Sequence, residues 1–201
     1  MLIPTHLNRY YLKAAKVVTA DAVLLDHVVL VEQGKITAIT KQITPEIEVI
    51  DLGEHSLFPG FIDLHIHGRE GCDIMDGTPE SLETISRSLA KHGVTGFVGT
   101  TVTADWEVSI QAYKNMATAY KKGLAGAQLL GAYNEGLFFA EAHKGAHNES
   151  FFLELTKQRF DEIYAACEGC LSSFALAPEL LKSPDMIRYI TDKGVRVMLG
   201  H

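Results

Sequence analysis

Several features that define large protein classes are scarce in this 201-residue sequence. Its three cysteines are too few for a disulfide framework, and the N-terminus lacks the apolar run of an export signal. No window approaches the ~18 consecutive apolar residues that a membrane span needs. Lys and Arg number 18 against 25 Asp and Glu, a balance that argues against nucleic acid as the main partner. These absences predict a soluble, cytoplasmic protein with no nucleic-acid or membrane partner.

The sequence is nevertheless rich enough in apolar residues to bury a core. Hydrophobic side chains make up 47% of it, and the mean hydropathy is +0.07. The first part, residues 1–56, consists of short β-branched runs, and Gly34 within Gln-Gly-Lys marks a hairpin turn. We expect a small antiparallel sheet with too few strands to close a sandwich without a partner segment. The runs span 16–20, 22–31, 35–40 and 48–52.

From residue 57 onwards the pattern changes to strands that alternate with single helices. Predicted strands cover 58–65, 94–101, 127–134, 171–177 and 195–200, and predicted helices cover 78–93, 105–122, 156–167 and 183–194. This order predicts an α/β protein with right-handed βαβ units and a parallel sheet, either a barrel or a doubly wound sheet. A barrel needs ~250 residues, so we expect these five strands to be the front part of a longer polypeptide.

Potential metal ligands follow three of the predicted strands. His65 and His67 end the first strand, and their i, i+2 spacing puts both imidazoles on one face. Glu135 follows the third strand, and His201 follows the fifth. Imidazoles with a carboxylate suit a divalent ion such as zinc. Asp63 is out of phase with the histidines, and we expect it to support the structure.

Longer segments carry a resemblance to a known family. Pro-Gly-Phe-Ile-Asp-Leu-His-Ile-His-Gly at 59–68 is similar to the opening of amidohydrolase-superfamily barrels. Together with the segments at 94–103, 134–136, 143–148 and 175–179, it resembles the N-acetylglucosamine-6-phosphate deacetylase family. The similarity runs in order over nearly the whole chain.

The resemblance implies a fold and an activity. The fold is a (β/α)8 TIM-like barrel, of which residues 57–201 form the first five strands, with residues 1–56 as part of a small β-sandwich. The activity is metal-dependent hydrolysis of the acetamide of N-acetylglucosamine 6-phosphate, a small-molecule amino-sugar phosphate, to glucosamine 6-phosphate and acetate. The family is also expected to form homodimers.

The resemblance further assigns roles to individual residues. Glu135 and His201 match metal ligands, and His65 and His67 match the pair that binds a second ion in binuclear members. One or two ions per subunit are therefore expected, with zinc or a similar metal such as iron. Ala146 and His147 match a segment that touches the substrate. The catalytic aspartate is expected beyond His201, so no catalytic residue is assigned within the chain.

Two departures from the family pattern leave alternatives open. The family usually has His-x-Glu-Gly-Pro at the third strand, where this sequence has Tyr133 and Leu137 at the first and last positions. A related amino-sugar or amide is therefore an alternative substrate. A cyclic-amide hydrolase or deaminase is a second alternative, although the predicted strand at 171–177 lacks the lysine that bridges two metals in many cyclic-amide hydrolases. A non-catalytic metal-binding protein is the third, if 201 residues are the whole chain.

Overall fold

The computed structural model describes residues 7–201, so the first six residues of the predicted 1–56 segment lie outside it. The chain divides into two compact units on either side of the bond between Pro59 and Gly60. Within the described residues, no helix is both long and apolar enough to cross a membrane.

The N-terminal unit forms two small sheets. Its described strands are β1 (Arg9–Lys13), β2 (Lys16–Val18), β3 (Val23–Leu24), β4 (Val28–Glu32), β5 (Lys35–Thr40), β6 (Glu48–Asp51) and β7 (Ser56–Leu57). One sheet has the order β5-β4-β1-β6 and the other has the order β3-β2-β7. The hairpin at Gly34 is confirmed, because β4 and β5 pair antiparallel around positive φ angles at Gln33 and Gly34.

Three details of this unit differ from the sequence prediction. The sheets are mixed, since β1 pairs with β6 and β2 pairs with β7 in parallel, so the purely antiparallel sheet is wrong. Strand β1 was not predicted, and the run at 22–31 is split where Asp26 adopts a φ of 58°. Strand β4 is buried on both faces. Val28 and Leu30 pack in one apolar cluster, and Val29 and Val31 pack in another.

The second unit is built on a parallel sheet. Its strands and helices are β8 (Phe61–Ile66), β9 (Gly68–Arg69), β10 (Cys72–Asp73), α1 (Pro79–Lys91), β11 (Val94–Thr100), α2 (Trp106–Lys122), β12 (Gln128–Asn134), α3 (Lys157–Ala166), β13 (Leu171–Leu176), α4 (Asp185–Asp192) and β14 (Arg196–Leu199). The main sheet has the order β8-β11-β12-β13-β14, and each neighbouring pair is parallel.

This strand order distinguishes between the two predicted architectures. Strands that follow one another along the chain are also neighbours in the sheet, as in a barrel, whereas a doubly wound sheet reverses direction at a switch point. The unit is therefore a parallel half-barrel, and the predicted strand–helix alternation is confirmed. Helix α1 begins as its sequence predicts: the Thr78 side chain accepts a hydrogen bond from the Ser81 N–H, and Pro79 occupies the first turn.

The core of this unit has two layers. The large layer lies between the sheet and the helices, and Phe174 is at its centre, with ring centroids 5.4 Å from Phe138 and 5.3 Å from Phe160. A small cluster packs separately and contains Val98, Tyr133, Phe139 and Ala175. Tyr133 precedes Glu135 by two residues on the same strand side, so this cluster adjoins the candidate site.

Candidate functional site

The candidate ligands are brought together by the carboxyl ends of three parallel strands. His65 lies at the end of β8 and His67 just beyond it, Glu135 directly follows β12, and His201 follows β14 by two residues. In a parallel sheet these ends lie along one edge, which is where TIM-barrel active sites are found. The side chains are therefore close in space although they are far apart in sequence.

Glu135 is the centre of the group. Its Oε2 atom lies 2.9 Å from Nε2 of His65 and 3.0 Å from Nε2 of His67. Its Oε1 atom lies 3.7 Å from Nε2 of His201. The carboxylate is largely buried, with 11% of the side chain exposed, whereas the three imidazoles are 31–46% exposed. The structure thus brings together all four side chains that the sequence singled out as ligands.

Two of the histidines have their ring nitrogens oriented by backbone carbonyls. Nδ1 of His67 lies 3.1 Å from the carbonyl oxygen of Thr100, and Nδ1 of His201 lies 3.2 Å from that of His143. A carbonyl only accepts, so each Nδ1 carries the proton, and in the neutral ring Nε2 presents a lone pair towards Glu135. This second hydrogen bond is typical of metal-binding histidines. Lone pairs that face a carboxylate require a cation or a proton between them, so the donor set fits a divalent ion.

Glu135 and His67 shift one another's pKa. The hydrogen bond that the protonated His67 ring donates to the Glu135 carboxylate raises the pKa of His67, although partial burial opposes the shift. Burial acts to raise the pKa of Glu135, but hydrogen bonds and charge from His67 and His65 outweigh burial and lower it. Glu135 is therefore favoured as an ionised carboxylate, which is the form that binds a cation, and a bound cation would take the place of the proton that the raised pKa favours on His67.

His147 belongs to the same region but has the opposite ring orientation. Its Nδ1 lies 2.8 Å from Oγ1 of Thr103 and 3.5 Å from the backbone nitrogen of Thr103, whose N–H donates to it. Nδ1 is thus the acceptor and Nε2 carries the proton, so the free edge of the ring is a donor. Burial is the main cause of the lowered pKa of His147, which favours the neutral ring.

His147 is also close enough to the ligand group to be weighed as a ligand. The potential ligand atoms of Glu135, His147 and His201 lie within 4.8 Å of one another, as do those of His65, His67 and Glu135. In the first of these groups, however, the accepting Nδ1 of His147 is already bonded to Thr103. Ala146 is exposed on the same loop, beside His147.

Several contacts around the four candidate ligands were not predicted from the sequence. Phe139 stacks on the His201 ring with centroids 4.4 Å apart, and the Tyr133 ring meets His65 edge-on at 5.1 Å. Oδ1 of Asp63 accepts the backbone N–H of His65 at 3.1 Å, a structural role like the one predicted. Thr101 and Thr103, which follow β11, were not predicted as part of the site either. Polar side chains directly after a buried strand were a signal that could have indicated them.

The departure at Leu137 has a backbone consequence. Gly136 has a φ of 115° and Leu137 a φ of 70°, and the Leu137 N–H donates to Oγ1 of Thr103 at 3.2 Å. Proline has a φ near −65° and lacks the N–H, so it could not adopt this conformation or make this bond. A leucine with positive φ is uncommon and strained, and here it lies two residues from Glu135.

Known deacetylases are similar to this chain in sequence and in structure. No family model matches the chain. It is 43% identical over 171 residues to N-acetylglucosamine-6-phosphate deacetylase of Vibrio furnissii, covering 85% of this chain and 43% of that protein. It is 36% identical over 192 residues to N-acetylgalactosamine-6-phosphate deacetylase of Escherichia coli O157:H7, covering 96% of this chain and 50% of that protein. The solved structure of N-acetylglucosamine-6-phosphate deacetylase from Pasteurella multocida superimposes with a TM-score of 0.84 at 27% identity, covering 96% of this chain and 51% of that one. The chain thus spans about half the length of the relatives it matches.

Proposed function

Because the chain belongs to the N-acetylglucosamine-6-phosphate deacetylase family, we propose that the protein hydrolyses the acetamide of N-acetylglucosamine 6-phosphate to glucosamine 6-phosphate and acetate. The observation that carries this proposal is the convergence of three imidazoles on one buried carboxylate at the strand ends. Such a donor set, in a parallel half-barrel, is suited to metal-assisted hydrolysis of a carbon–nitrogen bond.

The proposed metal ligands are Glu135 and His201, with His65 and His67 holding the same ion or a second one. Nitrogen and oxygen donors of this kind suit zinc, which we propose as the ion. A bound divalent ion would supply Lewis acidity towards an amide carbonyl and an activated water. The carbonyls that accept from Nδ1 of His67 and His201 keep the Nε2 lone pairs aimed at the site.

We propose that His147 and Ala146 contribute to substrate binding. The protonated Nε2 of the neutral His147 ring can donate to a sugar or phosphate oxygen, and Phe139 and Thr103 hold the ring in place. The loop that carries both residues is tied to the end of β14, since the Ala140 N–H donates to the His201 carbonyl at 2.7 Å. It is therefore positioned to cover the mouth of the half-barrel.

The finer architecture is proposed on the same basis. Residues 57–201 would be the first part of a (β/α)8 barrel, supported by five parallel strands in sequential order. Residues 1–56 would be part of a small β-sandwich, supported by the burial of β4 on both faces. A homodimer is proposed on the family resemblance. A cytoplasmic role in amino-sugar catabolism is proposed because a charged sugar phosphate does not cross membranes unaided.

A second substrate has specific support. The relative from Escherichia coli O157:H7, which matches 96% of this chain, is named for the galactosamine isomer. Tyr133 and Leu137 also depart from the pattern of the glucosamine enzymes, and the Tyr133 ring lies against His65. N-acetylgalactosamine 6-phosphate is therefore the alternative substrate for the same reaction.

Acetate release by the full-length protein tests both proposals. The rate would be measured with N-acetylglucosamine 6-phosphate, N-acetylgalactosamine 6-phosphate and unphosphorylated N-acetylglucosamine. We expect the first to give the highest kcat/KM and Glu135→Gln to abolish release. Faster turnover of the galactosamine isomer would replace the substrate and keep the reaction. Turnover that persists in Glu135→Gln would contradict the proposed site.

A further inference from the structure

Three buried polar side chains surround the backbone at Glu135. Thr101 directly follows β11, Tyr113 comes from α2, and Asn134 is the last residue of β12. Thr101 is 1% exposed, and Tyr113 and Asn134 are fully buried. None of them is a predicted ligand or substrate contact.

Their hydrogen bonds form one continuous chain that starts at the Glu135 backbone. The Glu135 N–H donates to Oγ1 of Thr101 at 3.2 Å, and that hydroxyl lies 3.2 Å from the Tyr113 hydroxyl. The Tyr113 hydroxyl donates to Oδ1 of Asn134 at 2.5 Å. The Asn134 amide reaches the carbonyls of Gly136 and Ala175 at 3.5 Å. The chain therefore links the backbone on both sides of Glu135 to helix α2.

Burying these hydroxyl and amide groups costs free energy unless each of them has a hydrogen-bond partner. A buried hydroxyl or amide without a partner costs ~1–3 kcal/mol, so apolar residues would be the simpler way to pack α2 against β12. Every buried side-chain nitrogen and oxygen in residues 7–201 does have a partner. These three side chains bond around the backbone of the one carboxylate that contacts three imidazoles, where small displacements have a large effect on ligand geometry.

We propose that Tyr113, Thr101 and Asn134 are positioning residues, which hold the Glu135 backbone so that its carboxylate faces the three imidazoles. The inference deepens the proposed function and rests on it for its link to metal binding. It predicts that the Tyr113 hydroxyl acts on the site through Thr101, without touching ion or substrate. Partners that hydrogen-bond to a ligating side chain contribute about 10–100-fold in metal affinity, and we expect the lower end here because this network reaches Glu135 through its backbone.

Matched variants separate positioning from ordinary packing. Tyr113→Phe removes one buried hydroxyl without changing the ring, and Thr101→Val removes the acceptor for the Glu135 N–H. Thr101→Ser keeps that acceptor and is the conservative rescue. The control is Ser86→Ala, because the fully buried Ser86 hydroxyl donates to the Ala127 carbonyl at 2.8 Å, just before the start of the same strand β12. This variant loses that bond and the one that Ser86 Oγ accepts from the Gly126 N–H at 3.0 Å, both far from the strand's carboxyl end.

Two measurements are made on the full-length protein. The rate of metal loss to a chelator is followed after loading with zinc, and amide hydrogen exchange of Glu135 is followed in metal-free protein. We expect Tyr113→Phe and Thr101→Val to accelerate both by about 10-fold. Thr101→Ser and Ser86→Ala should stay within about twofold of the wild type in both rates, because the first keeps the acceptor and the second loses its bonds at the other end of β12.

The outcomes distinguish this proposal from the proposed function. If the wild-type protein holds no zinc, the proposed metal site fails, and exchange at Glu135 alone decides the positioning role. Equal acceleration by Ser86→Ala would show general destabilisation and overturn the inference, as would unchanged exchange in Tyr113→Phe and Thr101→Val. If Tyr113→Phe does not fold, the difference between Thr101→Val and Thr101→Ser gives the answer.

Discussion

Replacing Glu135 with glutamine tests the centre of the site with almost no change in side-chain size. The substitution removes the charge that lies 2.9 Å and 3.0 Å from two imidazole nitrogens and leaves three imidazoles without a common carboxylate. A ligand that binds only the folded state at one hundred times its Kd stabilises a protein by about 2.7 kcal/mol. For a chain of this size each kcal/mol shifts Tm by about 2–4 °C, so saturating zinc should raise the wild-type Tm by about 5–11 °C.

The assay is a pair of thermal melts, with chelator and with zinc, combined with elemental analysis of the purified protein. We expect Glu135→Gln to lose both the bound metal and the zinc-dependent shift. Glu149→Gln is the control, because Glu149 is an exposed carboxylate on the loop after β12 that pairs with Lys144. It should behave as the wild type does. An undiminished shift and metal content in Glu135→Gln would refute the assignment of this carboxylate as a ligand.

Three further substitutions test other parts of the structure. His147→Ala should raise KM by about tenfold and keep the metal, because its ring faces the mouth with a donor; metal loss by elemental analysis would make it a ligand instead. Phe174→Ala should lower the free energy of unfolding by about 3–5 kcal/mol, since the ring is fully buried between two others. A loss below about 1 kcal/mol in urea titrations would contradict that packing. The Asp73 N–H, followed by the Ser81 hydroxyl, lowers the pKa of Asp76, so its stabilisation is present above about pH 4 and disappears as pH falls. Asp76→Asn should therefore destabilise at pH 7 more than at pH 3, and an equal effect at both pH values would be inconsistent with this.

The half-barrel could be predicted from the sequence because its signals are local. Apolar runs followed by capped helices mark each strand–helix unit, and Thr78 with Pro79 starts α1 where the pattern indicates. The mixed sheets of the first unit could not be predicted in this way. The parallel pairing of β1 with β6 joins segments about 40 residues apart, and neither strand carries a mark of its partner.

The candidate site also has a part that the sequence could predict and a part that it could not. His65, Glu135 and His201 could be predicted to meet because each lies at the end of a strand or just after it, and parallel strands end along one edge. The hydrogen bonds through Tyr113 could not be predicted, because a tyrosine at helical spacing beside apolar residues is most simply interpreted as part of the core. Its hydroxyl acquires a role only when α2 is packed against β12 in three dimensions.

The assembly of the site from β8, β12 and β14 has a consequence for synthesis. Roughly 140 residues separate His65 from His201, so at ~5–20 residues per second a ribosome needs about 7–28 s between them. During that interval the nascent chain displays a His-x-His pair, and later Glu135, before the last imidazole exists. The donor set is therefore incomplete until the end of β14 has been synthesised, and the ligand geometry that would select one divalent ion over another exists only from then on.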